Sequence, residues 1–391
     1  MDLRFTSEQE GFRADARAWL EAHAPSPSSG TGPLPSLDTR DGFEAHREWE
    51  RTMFRDRWSV VSWPERFGGR DADLLEWLIF EEEYYRVQAP TRVGQNGIFL
   101  LAPTLFEFGT QLQQERFLPP MASGEEVWCQ GWSEPDAGSD LAGIRSRAEL
   151  RNGDWVLNGQ KTWCSRGAFA DWLFGLFRSD PGADRHRGLT YFLVPMDAPG
   201  ITVRPIAQLD GETGFAEVFF EDVVVPTGQV LGDLHKGWEV AMATAGSERG
   251  LSLRSPARYT EAVNRLIGLY RQRRATDPAS ASRRAEAVAK AYIDAEAYRL
   301  HTYMTATKVL GGGRVGPEAS MNKVFWSETD LAIQETALGL LGDEAELLDG
   351  DGRPGEWLDA FLFALAGPIY AGTNEIQRNV IAERVLGLPR G

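Results

Sequence analysis

Apolar positions recur at helical spacing through the first third of the chain and alternate in short bursts through the middle. Over 6–24, Phe12, Ala16, Trp19 and Leu20 share one face, and Ser7 with Glu10 fits a capping box, so a helix is predicted there. Residues 25–40 are rich in Ser, Pro and Gly and read as a loop. Helical periodicity resumes over 43–58 and 74–85, then over the more apolar 98–108. A further helix, 111–121, is expected to give way at Pro119-Pro120. From 127 to about 230 the period changes. Runs such as Trp155-Val156-Leu157, Tyr191-Phe192-Leu193-Val194 and Glu217-Val218-Phe219-Phe220 alternate with Gly, Asp and Pro, predicting a compact β domain. Helical patterns return over 238–274, 283–310 and 318–341, with two shorter ones before Arg390 and a break at Thr276-Asp277-Pro278. Long amphipathic helices with short connections predict an antiparallel bundle. The expectation is an α+β chain in three parts: helical over 1–125, β over 126–232, helical over 233–391.

Composition narrows the function classes. The 391 residues are 42% hydrophobic, which suits a packed globular chain, and no apolar run approaches bilayer length. Met1-Asp2-Leu3-Arg4-Phe5 lacks the basic and apolar regions of an export signal. Cys129 and Cys164 form neither a disulfide framework nor a zinc-site spacing, so a reducing cytoplasm is expected, with no structural metal. The formal net charge of −16 disfavours nucleic acid and anionic membranes as partners. Any polyanionic ligand must be held by local arginines and backbone donors.

Three blocks carry candidate chemistry. The first is Gln130-Gly131-Trp132-Ser133-Glu134-Pro135-Asp136-Ala137-Gly138-Ser139-Asp140, whose small residues let backbone N–H groups approach an anion. By itself it reads equally as a surface turn. The second, Asn158-Gly159-Gln160-Lys161-Thr162-Trp163-Cys164-Ser165, supplies a flat aromatic and a hydroxyl. The third is Ile369-Tyr370-Ala371-Gly372-Thr373-Asn374-Glu375-Ile376-Gln377-Arg378. Gly311-Gly312-Gly313-Arg314-Val315-Gly316 matches G-x-G-x-x-G literally, but it follows a helix and precedes a proline, so it reads as a connecting loop. The five histidines show no metal-ligand spacing.

In this order and spacing the three blocks resemble the acyl-CoA dehydrogenase family over nearly the whole chain. The resemblance implies a helical domain, a β-barrel and a four-helix bundle, with FAD as cofactor. It sets Gln130, Trp132 and Ser133 along the isoalloxazine edge and Gly138 and Ser139 at the pyrophosphate. Trp163 lies against the flavin in that pattern, Ser165 hydrogen-bonds flavin N5, and Thr373 and Glu375 reach the ribityl and diphosphate region. Relatives carry a base glutamate just before Gly-Thr, where this chain has Ala371. Isovaleryl-CoA and long-chain relatives instead place it before an arginine on an earlier helix, which matches Glu248 in Ser247-Glu248-Arg249-Gly250. Glu248 is therefore the expected base, and Ser139, Arg249, Ala371 and Gly372 the expected substrate-binding positions, the Ala371 N–H facing the thioester carbonyl.

A neighbouring subunit in relatives adds Arg-x-x-Phe-Gly and a Gly-Gly loop to the flavin site. Here Arg273 survives without Phe-Gly, and Ala337-Leu338-Gly339-Leu340-Leu341-Gly342 lacks the paired glycine. A homotetramer and a heterotetramer with a paralogous chain both remain open. The implied reaction is oxidation of an acyl-CoA to the trans-2-enoyl-CoA, with an electron-transferring flavoprotein as acceptor. A structural or FAD-sharing subunit, a dehydrogenase acting on carrier-protein thioesters, and a flavin oxidase are the alternatives.

Overall fold

The computed structural model describes residues 4–25, 34–248, 255–313, 315–317, 319–348, 352 and 354–389, the side chains of Ser247 and Glu248 excepted. In chain order the helices before the sheet are α1 (Ser7–His23), α2 (Arg40–Arg55), α3 (Leu74–Arg86), α4 (Ala102–Phe108) and α5 (Gln111–Ala122). The strands are β1 (Trp128–Gly131), β2 (Arg147–Arg151), β3 (Asp154–Ser165), β4 (Trp172–Arg178), β5 (Leu189–Pro195), β6 (Ile201–Ile206), β7 (Phe215–Val225) and β8 (Val230–Leu231). Then come α6 (Gly237–Glu248), α7 (Pro256–Thr276), α8 (Pro278–Leu310), α9 (Ala319–Leu341), α10 (Glu356–Ala364) and α11 (Asn374–Val380). The α+β order is as expected from the sequence.

Contacts divide the chain into two units: Met1–His23, Asp73–Ala89 and Arg249–Gly391 in one, Ala24–Ala72 and Pro90–Glu248 in the other. In the second unit all eight strands form one sheet, ordered β6-β7-β3-β2-β4-β5-β8, with β1 parallel to β4. The sheet is strongly curled. β7 and β4 stand three places apart in it, about 14 Å on a flat sheet, yet Phe220 and Phe177 meet ring to ring at 5.1 Å. Trp155 of β3 and Phe192 of β5, also three places apart, meet at 5.6 Å. Curling closes one apolar core containing Leu157, Leu173, Phe192, Val218 and Val223. Each such side chain contributes about 1.5–3 kcal/mol on burial.

In the first unit, α7, α8 and α9 share a core of Tyr259, Leu266, Val288, Ala295, Trp326 and Ile333. The helices α1 and α3, which precede the sheet in sequence, belong to this unit too. Arg17 and Arg13 of α1 grip Glu83 of α3, which is only 2% exposed.

Several local expectations shift. The reciprocal cap of α1 is Thr6 with Gln9, not Ser7 with Glu10: each backbone N–H reaches the other's side-chain oxygen, at 3.0 and 3.2 Å. The helix predicted over 238–274 is two helices, because Ser255 caps α7 and Pro256 starts it. α5 runs through Pro119 and Pro120 to Ala122, since burial of Phe117, Leu118 and Met121 outweighs the lost ladder bonds. Residues 98–108 begin as a π turn (Gly97–Leu101) before α4. Gly311 and Gly312 end α8, as a connecting loop should.

Candidate active site

In the sheet unit the first block leaves β1 as a backbone crossing of tight tolerance. A Cβ on Gly131 would lie 2.6 Å from Leu173. Among the described residues the buried Gln130 Nε2 has no partner, a donor left for a ligand. Trp132 is buried, edge-on to Tyr191 at 6.3 Å, and the Ser133 carbonyl accepts from the Thr162 N–H at 2.9 Å. Glu134 and Ala137 then exchange backbone bonds of 3.1 and 3.0 Å, closing a turn that delivers Gly138 and Ser139 to the surface. Nothing crowds Gly138.

The turn is held from below by a pair the sequence reading did not single out. Lys161 Nζ, wholly buried, lies 2.7 Å from Glu134 Oε1. Glu134 also accepts from the N–H groups of Arg145 (2.6 Å) and Ser146 (2.9 Å). Burial alone would raise the Glu134 carboxyl, but Lys161 and these donors hold it below its usual value. Burial wins at Lys161 itself, whose pKa falls although Glu134 opposes the fall. A charged residue two places before Trp163 in a strand of otherwise apolar inward positions was the available signal.

Strict alternation along β3 would turn Trp163 to the same face as buried Lys161. Instead the β3–β7 register shifts between Lys161 and Cys164, and Trp163 takes a left-handed backbone, φ +59°. Trp163 is 59% exposed, its ring touching Phe215 edge-on at 6.1 Å. A tryptophan left in solvent by a conformation costing about 1 kcal/mol or more has a surface waiting to be covered. Ser165 pairs with Phe215, and its carbonyl accepts from Asn96 Nδ2 at 3.4 Å. Next to it Arg166 reaches Asp38 at 3.3 Å. Burial, aided by Glu212 and opposed by Arg166, pushes the Asp38 carboxyl up to about 7.

In the bundle unit the third block is a fixed turn. Ala371 and Gly372 are both left-handed, φ +57° and +75°. Gln377 Nε2 donates to both their carbonyls, at 3.0 and 3.3 Å. The Thr373 hydroxyl caps α11 by accepting from the Ile376 N–H. Buried Lys323 of α9 donates to the Gly367 carbonyl and to Asn374 Oδ1, both at 2.8 Å, so the turn is anchored on the bundle. The Ala371 N–H has no acceptor among the described residues. Glu375 is exposed, its pKa lowered first by its own backbone N–H, then by the Thr373 hydroxyl. Arg273, at the end of α7, is bound by both its terminal nitrogens to Glu344. Glu344 lies in the 3-10 turn (Gly342–Glu346) that follows α9.

Glu248 is the last residue of α6, a helix tied into the sheet unit by Thr244, whose hydroxyl meets Thr104 at 2.8 Å and Tyr191 at 3.3 Å. The Glu248 side chain and all of Arg249 lie outside the described residues. No helix among the described residues is long and apolar enough to cross a membrane.

Comparison with known proteins agrees along the whole length. Residues 6–125, 129–223 and 235–386 match the N-terminal, middle and C-terminal domains of acyl-CoA dehydrogenase. The chain is 40% identical to the acyl-CoA dehydrogenase IpdE1 of Mycobacterium tuberculosis over 97% of its own length and 98% of that protein. The solved Tcur3481-Tcur3483 steroid ACAD superposes with a TM-score of 0.84 at 26% identity, covering both chains fully. A chain of the ChsE4-ChsE5 complex from Mycobacterium tuberculosis does so at 0.82 and 29%, again over both full lengths. The outward Trp163, the orphan Gln130 amide and the open ground at Gly138 suit a bound flavin. This chain therefore belongs to the acyl-CoA dehydrogenase family, an oxidoreductase acting on CH–CH bonds with FAD as its cofactor.

Proposed function

We propose that the chain catalyses α,β-dehydrogenation of an acyl-CoA thioester in lipid catabolism, with Glu248 as the base. The observation that carries this reading is Trp163, strained and exposed where a flat cofactor would cover it. When bound, FAD supplies the acceptor for the β-hydride. Trp163, Ser165, Gln130, Trp132 and Ser133 would hold the ring, and Gly138, Ser139, Thr373 and Glu375 its phosphate and ribityl portions. The unengaged Ala371 N–H, beside Gly372, donates to the thioester carbonyl and acidifies the α-carbon as enolate charge develops. Glu248 takes the α-proton, and a water-poor setting would raise its basicity. Arg249 meets the CoA portion. A branched, cyclic or steroid-derived acyl group, an electron-transferring flavoprotein as acceptor, and a cytoplasmic tetramer complete the reading.

A second reading is favoured by one contact. Arg273, expected at a neighbour's FAD, is already bound to Glu344. A chain whose guanidinium is so engaged would depend on a paralogous partner for part of the flavin site, and two similar solved structures carry paired names. Anaerobic mixing with a panel of acyl-CoAs separates the two. Bleaching of the flavin by the isolated chain, lost in Glu248→Gln with FAD retained, supports the first. A colourless chain that gains flavin only with a partner supports the second, and bleaching unchanged in Glu248→Gln removes the assigned base.

A further inference from the structure

In the bundle unit Arg258 is a largely buried charge that the assigned chemistry does not use. Arg258 sits in the first turn of α7, where the partial positive charge of a helix start disfavours a cation. Among the described residues the one hydrogen bond of its guanidinium runs from an Nη to Asp330 Oδ2, at 3.2 Å. Asp330 is 5% exposed, and its other oxygen accepts from Gln334 Nε2 at 3.1 Å. Both oxygens of the acid are thus engaged, while the guanidinium keeps most of its five donors.

Those donors face aromatic ground. Arg258 stands 5.8 Å from the ring centres of both Tyr259 and Phe363. Tyr370, immediately before the Ala371-Gly372 turn, joins the same aromatic set through Phe363. Tyr370 is packed against Phe363 at 6.4 Å and against Trp326 at 5.9 Å. Even inside this aromatic set, 29% of the Arg258 side chain stays accessible. Apolar walls around a few unspent donors are the make-up of a site that orients a mostly hydrocarbon ligand by one polar atom.

We propose that Arg258 is a specificity residue that donates a hydrogen bond to a neutral oxygen, a ketone above all, on the acyl group of the thioester. The inference rests on the Ala371-Gly372 turn being the thioester-binding segment. Charge counting selects the neutral acceptor. Arg258 and Asp330 already cancel, so a buried carboxylate would add one uncompensated charge, whereas a carbonyl adds none.

The test uses three acyl-CoA thioethers of equal length that cannot be oxidised: one with a distal ketone, one with a carboxylate, one plain hydrocarbon. Binding to the FAD-loaded protein is followed by calorimetry, and the matching thioesters supply kcat and KM. The ketone analogue is expected to bind about tenfold or more tighter than the hydrocarbon, the worth of a hydrogen bond to a charged group. In Arg258→Met with Asp330→Asn, which keeps an acceptor for Gln334, that preference should vanish while hydrocarbon affinity and kcat stay within about twofold. Arg258→Lys, which keeps the charge without the fork, should retain only part of the preference. Equal binding of ketone and hydrocarbon by the unaltered protein, a preference for the carboxylate, or equal losses for all ligands in the variants would each overturn the proposal. Failure of every thioester to bleach the flavin would count against the dehydrogenase reading instead, while the binding preference still judges Arg258.

Discussion

Glu134 and Lys161 meet at 2.7 Å in the sheet unit, the lysine with none of its side chain in water. Together with the Thr162 N–H bond to the Ser133 carbonyl, this pair fixes the turn carrying Gly138 and Ser139 to the strand carrying Trp163 and Ser165, so two separated motifs become one surface. The pair also accounts for the charge of Lys161 in a position otherwise belonging to the apolar core.

Lys161→Met strands a buried carboxylate and should cost about 3–5 kcal/mol of stability. Urea denaturation of the apoprotein measures it, and flavin retention should fall in parallel. The sign of the pH dependence follows from Glu134, whose folded pKa lies below its ordinary 4.5. Its contribution is complete above that value and is lost as the pH falls through the folded pKa. Lys161→Met should therefore flatten the acid limb of the stability curve.

Trp163→Gly removes the left-handed strain and an exposed ring together. The apoprotein should stay within about 1 kcal/mol of the parent, while FAD affinity drops about tenfold with loss of ring stacking. Thermal unfolding of the apoprotein and flavin equilibrium dialysis check the two halves. A core tryptophan would give the reverse.

Asp38 titrates the other way from Glu134. Its carboxyl is raised from 3.8 to about 7, so between those values the unfolded chain releases a proton that the folded chain keeps. Its contribution is present below 3.8 and is lost as the pH rises towards 7. Asp38→Asn should flatten that decline and raise the melting temperature at pH 8. The Ser36 hydroxyl bond to Glu212 is left in place by this change.

Ala371→Gly should stabilise the chain by about 1 kcal/mol, since glycine accepts the left-handed turn freely. Activity should persist because the N–H is unchanged. Glu248→Gln combined with Ala371→Glu should regain measurable flavin bleaching, the carboxylate now standing at the position many relatives use.

Glu344→Ala frees Arg273 and should raise the flavin content of the isolated chain, whereas Arg273→Ala should leave it nearly unchanged. Absorbance ratios of the purified variants report both. Equal flavin in all three proteins would remove Arg273 from the cofactor site.

The sequence by itself determined the order of elements and the family. Period 3.6 and period 2 are local properties, and the spacing of Gln130–Asp140, Asn158–Ser165 and Ile369–Arg378 survives without any contact being known. It also determined that Ala371 cannot be a base. Three-dimensional contacts decided the rest. Strict alternation along β3 would put Trp163 on the face of buried Lys161, and a shift in pairing with β7 turns it outward instead. Ser255 and Pro256 were readable as a helix start, yet amphipathic periodicity across them masked the break. Glu134 with Lys161, and Arg273 with Glu344, join residues 27 and 71 positions apart. Charge pairing at that range depends on how the sheet curls and the helices pack, and burial sets its strength, so neither follows from local pattern.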